Sequence, residues 1–280
     1  EVGYLYGTAT TYGIGTGIWL DAEIGIEDPG LQFIAPVVLG AAAPLIVFLA
    51  DRPAMPRGMP AAIATGMLIG AGEGLGIASY QYVTARKENE WGFKGLARAE
   101  FIGGLVGGSA GYLAARYLRP SPKTSLFIAS AATWGTIAGS QFGGGASNGS
   151  WGQSNDTISL GGLIGFTLGL VASLGVSAAF IPSWNQLKWM WYGLGFGELV
   201  SLPVYAFYAG GDYDPRRGLI FQGVAGAIGI GIGALIGDPD GPATRGSNEE
   251  TKRPAFAQLL GGGLMPVEKG CGVRVFGTLW

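Results

Sequence analysis

Three polar side chains interrupt apolar stretches of this sequence: Glu73 in "GAGEGLG", Glu198 in "GLGFGELVSLP" and Gln222 in "RRGLIFQGVAG". A carboxyl group in apolar surroundings usually does one of two things. It carries protons or ions along a path, or it hydrogen-bonds to a neighbouring element and holds it in place. A path needs several ionisable groups on consecutive turns of one helix, and neither glutamate has such company. Arg98, Glu100 and Arg116 share one stretch, near its ends. The preferred reading is therefore a structural one. Glu73 and Glu198 bond between helices, or Arg98 or Arg116 pairs with one of them. At 100° per residue Glu73 projects within about 20° of Gly66, so it is expected to face the same groove.

Other chemistries find little material. The chain has no histidine, the commonest metal ligand and proton shuttle. Cys271 is its only cysteine, so a disulfide framework and a thiolate metal site are both excluded. No metal and no cofactor is expected. "GIGTG" (13–17), "GAGEG" (70–74) and "GLGFG" (193–197) resemble nucleotide loops only superficially: none completes G-x-G-x-x-G, and no P-loop lysine follows. "GGDYDPRRG" (210–218) reads as a capped, solvated turn in preference to a calcium site. "NGS" at Asn148 and "NDT" at Asn155 match a glycosylation tripeptide that is common by chance. The net charge of −2 lacks the basic footprint of a nucleic-acid binder.

Composition says what kind of object carries these residues. Of 280 residues, 53 are glycine, 48% are hydrophobic and only 13% are charged. A soluble domain carries about 25% charged residues, so much of this surface is expected to meet lipid. Apolar segments lie at about 2–20, 32–50, 59–84, 96–118, 124–144, 157–181, 186–209 and 217–237. About 20 helical residues cross a bilayer core, and eight such segments predict an eight-helix, all-α membrane protein. Cap chemistry supports helices: Pro60 at a first turn, Ser121-Pro122, a Ser183–Gln186 capping-box spacing and Asp214-Pro215. The loop charges, including an acidic first loop (Asp21, Glu23, Glu27, Asp28), are too evenly shared to fix orientation. Trp91 and Phe93, Trp151, and the cluster Trp184, Trp189, Trp191 and Tyr192 are expected at headgroup level.

Small residues recur every fourth position. Gly66, Gly70 and Gly74 form one set; Gly103, Gly107 and Gly111 another; Gly135 and Gly139 a third. Gly161, Gly165 and Gly169, then Gly193 and Gly197, then Gly229 and Gly233 complete the pattern. Four residues advance a helix slightly more than one turn, so each set lines a shallow groove on one face. In lipid no hydrophobic effect draws helices together, and small residues that admit close backbone approach take its place. These glycines are expected to be helix-packing surfaces.

A spacing of four also fits one face of a strand. "AIGIGIGALIG" (227–237) and "GYLYGTATTYGIGTGIW" (3–19) alternate in part, and "GVRVFGTLW" (272–280) resembles the closing strand of an outer-membrane barrel. The alternative fold is thus a transmembrane β-barrel, and with it a pore. Against it, barrel strands need only 9–11 residues and alternate apolar with polar. Pro36, Pro44 and Pro203 would also interrupt sheets.

The capped glycine-zipper spans, with "SLGGLIGFTLGLVASLG", "QLKWMWYGLGFG" and "DPRRGLIFQGVAGAIGIGIGALIG", resemble a group of uncharacterised integral envelope proteins of myxobacteria and their relatives. The resemblance covers residues 1–237 and is one of pattern. It implies the bacterial cell envelope, with the outer membrane as one location, and signal peptides are common in that group. The start at Glu1 fits either signal-peptide removal or a trimmed chain. Residues 1–237 are expected to form a transmembrane bundle, and 238–280 a polar loop with a docking or hairpin segment. The functional expectation is a non-enzymatic structural or scaffold subunit of an envelope complex, whose partners are the bilayer and other membrane subunits or itself. A channel or transporter using Glu73 and Glu198 is the second expectation.

Overall fold

Cap chemistry sets the helix boundaries. The Ser121 hydroxyl accepts the Thr124 amide at 3.1 Å ahead of Pro122. The Ser183–Gln186 capping box closes both ways, each amide bonded to the other side chain at 3.0 Å. Asp214 accepts the Arg216 amide at 3.1 Å ahead of Pro215. These caps satisfy amides that a first helical turn leaves without partners.

The computed structural model describes residues 1–52, 54–148, 155–210, 214–238, 262–267 and 270–275. The chain divides into two units, Glu1–Pro239 and Asp240–Trp280. The first is all-α: α1 (Val2–Ile24), α2 (Ile34–Ala50), α3 (Met59–Thr84), α4 (Gly92–Tyr117), α5 (Pro122–Gly145), α6 (Asn155–Ser177), α7 (Trp184–Gly210) and α8 (Pro215–Ile236). Among the described residues four segments are long and apolar enough to cross a membrane: Leu31–Ala50, Met59–Thr84, Asp156–Ser177 and Pro215–Ile236. In the second unit, β1 (Gly262–Val267) and β2 (Gly270–Val275) pair antiparallel, from Gly262 opposite Val275 to Val267 opposite Gly270.

The barrel alternative is overturned. Residues 3–19 lie in α1 and 227–236 in α8, so their partial alternation is incidental to a helical glycine face. Pro44 and Pro203 sit inside α2 and α7. One boundary also moves. Asp21 and Glu23 belong to the last turns of α1, not to a loop, because Gly25 takes the left-handed conformation (φ 77°) that ends the helix one turn later.

The helices form four antiparallel hairpins in chain order: α1–α2, α3–α4, α5–α6 and α7–α8. In the last three, glycine faces glycine. A methyl group on Gly70 would strike the Gly103 carbonyl, and one on Gly103 would strike the Gly70 carbonyl. Gly135 and Gly165 are reciprocal in the same sense, as are Gly193 and Gly229. Backbone thus lies on backbone, which brings Cα–H groups to carbonyl oxygens at about 0.5–1 kcal/mol each.

Successive hairpins then stack. The odd helices form an inner row, α1 on α3 on α5, with α7 next. Each later even helix sits in front, against its own partner and the preceding odd helix: α4 on α3 and α1, α6 on α5 and α3, α8 on α7 and α5. The odd helices start at Val2, Met59, Pro122 and Trp184, so the unit repeats at roughly 60 residues.

Two glycines of α8, two residues apart, separate packing from composition. A methyl group on Gly229 meets the Gly193 carbonyl, whereas one on Gly231 meets nothing within 4 Å. Gly229→Ala is expected to lower the melting temperature in mild detergent, the overpacking cost being about 1–3 kcal/mol. Gly231→Ala is expected to leave it unchanged or raise it, since alanine is the better helix former. Equal shifts in both variants would contradict the backbone-on-backbone interface.

Candidate functional site

The polar residues singled out in the sequence fall at two separate interhelical joints. Glu73 of α3 points to α6, where the Thr167 hydroxyl donates to its Oε1 at 3.0 Å and lies 3.4 Å from Oε2. That hydroxyl also reaches the Leu163 carbonyl at 3.0 Å, so one proton is shared. The glycine face of α3 packs on α4, and Glu73 stands beside that face, turned towards α6. Its side chain helps line a cleft of about 1400 Å³ that also takes in Thr65, Ile102, Val106, Ile128 and Leu170. The cleft exists because α4 and α6 both lean on α3 without extended contact between them.

The second joint brings α5, α7 and α8 together. Gln141 of α5 donates through Nε2 to Oε2 of Glu198 on α7 at 2.7 Å. Glu198 Oε1 and Gln141 Oε1 are buried and have no hydrogen-bond partner among the described residues. Glycines of α8 make the room. A methyl group on Gly226 would lie 2.7 Å from Glu198 Oε1, and one on Gly223 3.4 Å from Gln141 Oε1. Gln222, the third candidate, is buried beside Gly223 in α8. The structure therefore brings Glu198 near the α8 segment that carries Gln222, and leaves Glu73 at another joint.

Of the two structural alternatives for these glutamates the interhelical bond is the one seen, and no arginine pairs with them among the described residues. Arg98 instead binds Glu23 of α1 through both its Nε and its Nη2, the latter at 2.9 Å. Lys94 joins the same carboxylate at 3.0 Å, and the Trp19 indole donates to it at 3.2 Å. The physical reason is position: the late end of α1 places Glu23 at the start of antiparallel α4. Glu100 faces α1 too, where a methyl group on Gly15 would lie 2.6 Å from its carboxylate. Asp21 is a residue sequence reasoning placed wrongly. Its carboxylate oxygens are buried without a partner among the described residues, and its place in a helical turn, four before Gly25, was the available signal.

All fifteen candidate packing glycines lie where a methyl group would meet a facing backbone carbonyl. Gly66, Gly70 and Gly74 of α3 meet Gly107, Gly103 and Ala99 of α4; Gly103, Gly107 and Gly111 meet Gly70, Gly66 and Ala62 in return. Gly135 and Gly139 meet Gly165 and Gly161, and Gly161, Gly165 and Gly169 meet Gly139, Gly135 and Ala131. Gly193 and Gly197 meet Gly229 and Ala225, while Gly229 and Gly233 meet Gly193 and Trp189.

Of the aromatic residues, Trp91 and Trp184 lie at helix starts and are exposed. Trp191 also packs between helices. Its indole donates to Ser130 of α5 at 3.0 Å, and its ring meets Trp134 edge-on at 5.6 Å, which makes it an interhelical contact. Trp151, residues 211–213 and the polar stretch 239–261 lie outside the described residues. Among the described residues no cluster of acidic, histidine or cysteine side chains is arranged to hold a metal ion. Comparison with known protein families, with curated proteins and with solved structures returns no match.

The Gln141–Glu198 pair yields a direct test. Removing one partner leaves a buried polar group without its bond, while removing both restores an apolar joint. Gln141→Leu is expected to destabilise the protein by about 1–3 kcal/mol, read as a lower melting temperature in detergent. The double variant Gln141→Leu/Glu198→Leu is expected to recover most of that loss. Additive losses would mean that the two side chains do not act as a pair.

Proposed function

We propose that this chain is a non-enzymatic integral membrane protein whose eight helices all span the bilayer, serving as a structural or scaffold subunit of a bacterial envelope complex. The observation that carries the reading is the division of surfaces. In the hairpins α3–α4, α5–α6 and α7–α8 the glycine faces are spent on one another, and large apolar side chains are turned outward. Leu45 is 63% exposed, Phe196 69% and Leu235 87%. In water such a perimeter would aggregate; in a bilayer it is the lipid-facing surface.

The helices of lower apolarity fit the same picture. α1, α5 and α7 belong to the inner row, and α4 carries Lys94 and Arg98 near its start. Their hydroxyls are satisfied internally. Thr10 and Thr16 of α1 and Thr133 and Thr136 of α5 donate to carbonyls one turn back, at 2.8–3.0 Å. Such back-bonding lets threonine sit in a span without stranding a polar group. Lengths of 23 to 27 residues in these four helices exceed the roughly 20 that a bilayer core needs. The envelope location, outer membrane included, rests on the resemblance of the zipper spans, and density-gradient fractionation of membranes tests it.

A second reading, a channel or transporter, draws on Glu198 Oε1, without a partner among the described residues, and on Glu73 at the 1400 Å³ cleft. It is disfavoured because the two carboxyls occupy different joints, each bonded to a neighbouring helix.

Reconstitution separates the two. The scaffold reading predicts that the protein stays in the membrane pellet after alkaline carbonate, and that proteoliposomes show proton and ion permeability no higher than empty vesicles. Flux that falls in Glu73→Gln or Glu198→Gln would establish the transport reading instead.

A further inference from the structure

The cleft between α4 and α6 is a long trough with positive charge at one end. α3 forms its floor, α4 and α6 its walls, and the start of α5 adds Thr124, Ser125 and Ile128 at the far end. Every lining residue lies between 62 and 178, inside the helical unit. Along α3 the lining runs from Ala62 to Ile77, about 22 Å of helix at 1.5 Å per residue. That exceeds the roughly 15 Å of hydrocarbon in one leaflet. The volume of about 1400 Å³ is also larger than the roughly 300–1000 Å³ of a small-ligand pocket. Ile102 and Val106 of α4 and Leu174 of α6 line the trough and are exposed.

The charged side chains in the lining are Glu73, Lys94 and Arg98, all in the half next to the turn between α3 and α4. Lys94 stands in the first turn of α4, with Trp91 just before that helix. Lys94 and Arg98 share the Glu23 carboxylate, so two cations against one anion leave one net positive charge at this mouth. Their side chains are 45% and 53% exposed, and the bonds to Glu23 leave the Arg98 Nη1 and one ammonium hydrogen of Lys94 without an acceptor among the described residues. Glu73 lies deeper, level with Ala99, because a methyl group on the adjacent Gly74 would strike the Ala99 carbonyl. It is turned to Thr167 and presents oxygen atoms where an anion would need donors. An anion is therefore favoured at the mouth and disfavoured further in.

We infer that the cleft binds one membrane phospholipid of net negative headgroup charge, its phosphate on Lys94 and Arg98 and its acyl chains along Ile102, Val106 and Leu174. The occupant follows from charge complementarity. Such a lipid has one anionic end and an uncharged length, and the trough has a cationic mouth and, beyond Glu73, no charged lining residue. Lysine and arginine meet phosphate through charge-assisted hydrogen bonds, and Trp91 suits the headgroup depth. Three helices surround the chains where ordinary boundary lipid meets one surface, which multiplies the dispersion contacts. The inference rests on the membrane-spanning reading.

The test is native mass spectrometry of the full chain in mild detergent, titrated with phosphatidylglycerol or with phosphatidylcholine. Phosphatidylglycerol is expected to give a one-to-one adduct at about fivefold lower concentration, the effect of one net charge near the headgroup. Lys94→Gln/Arg98→Gln is expected to abolish that preference. Val106→Trp, at an exposed position in the trough, is expected to lose the adduct while keeping the melting temperature. Leu235→Trp, exposed on α8 outside the cleft, is expected to keep both. Equal binding of the two lipids would overturn the proposal. So would an adduct that survives both cleft variants, which would mark it as boundary lipid. A photo-crosslinker at position 106 in native membranes is expected to capture lipid; capture of residues 239–280 of the same chain, or of another polypeptide, would overturn the proposal too. Each of these results leaves the membrane reading intact, whereas chains released by alkaline carbonate would overturn that reading first.

Discussion

Everything in the helical unit depends on how closely two backbones approach inside a hairpin. Between membrane helices apolar side chains gain little by leaving lipid for one another, so contact must come from dispersion and weak backbone hydrogen bonds. Those fall away within an ångström of added separation. Glycine at every fourth position removes the obstacle along a whole face, and it does so on both partners: Gly70 against Gly103, Gly135 against Gly165, Gly193 against Gly229. A glycine-rich span would be a poor helix on its own, and the hairpin is what makes the spans worth forming.

Stacking the hairpins uses different means. Between them, aromatic and polar contacts stand beside apolar side chains, such as Leu163 and Ile220, that seat on glycines of the neighbouring hairpin. Trp19 of α1 stacks on Phe101 of α4 at 4.1 Å, and the Tyr12 hydroxyl donates to the Phe101 carbonyl at 2.6 Å. Thr65 of α3 donates to the Ser125 carbonyl of α5 at 3.2 Å, with the Tyr4 hydroxyl 3.3 Å behind it. Gln141 meets Glu198, Trp191 meets Ser130, and Arg216 of α8 donates to Ser147, just beyond α5, at 2.9 Å. Glycine fixes distance within a hairpin, and directional bonds add to the contacts between hairpins. Glu73 and Glu198 belong to this second set, each bonded to a neighbouring helix.

Much of this was legible in the sequence. The eight segments, the caps at Ser121, Ser183 and Asp214 and the glycine faces are all local: each depends on residues within a turn or two, where spacing converts directly into geometry. What needed the structure is relational. Arg98 has no mark that selects Glu23 over Glu73, because the choice depends on which end of α4 meets which end of α1. The repeat of roughly 60 residues stayed hidden because the six helices α3 to α8 share the same four-residue rhythm, which masks the longer period. The partial alternation in 227–237 was ambiguous for a physical reason: a period of four serves a helix face and a strand face equally.

The most direct measurement is a structure of the full-length protein in lipid nanodiscs, reading the separation of the α3 and α4 axes where Gly70 faces Gly103. The account predicts helices that cross the disc with their axes closer than about 8 Å, the near limit for helices held apart by side chains. A separation of about 8–10 Å, with side chains between the backbones, would contradict it, as would helices lying flat on the disc surface.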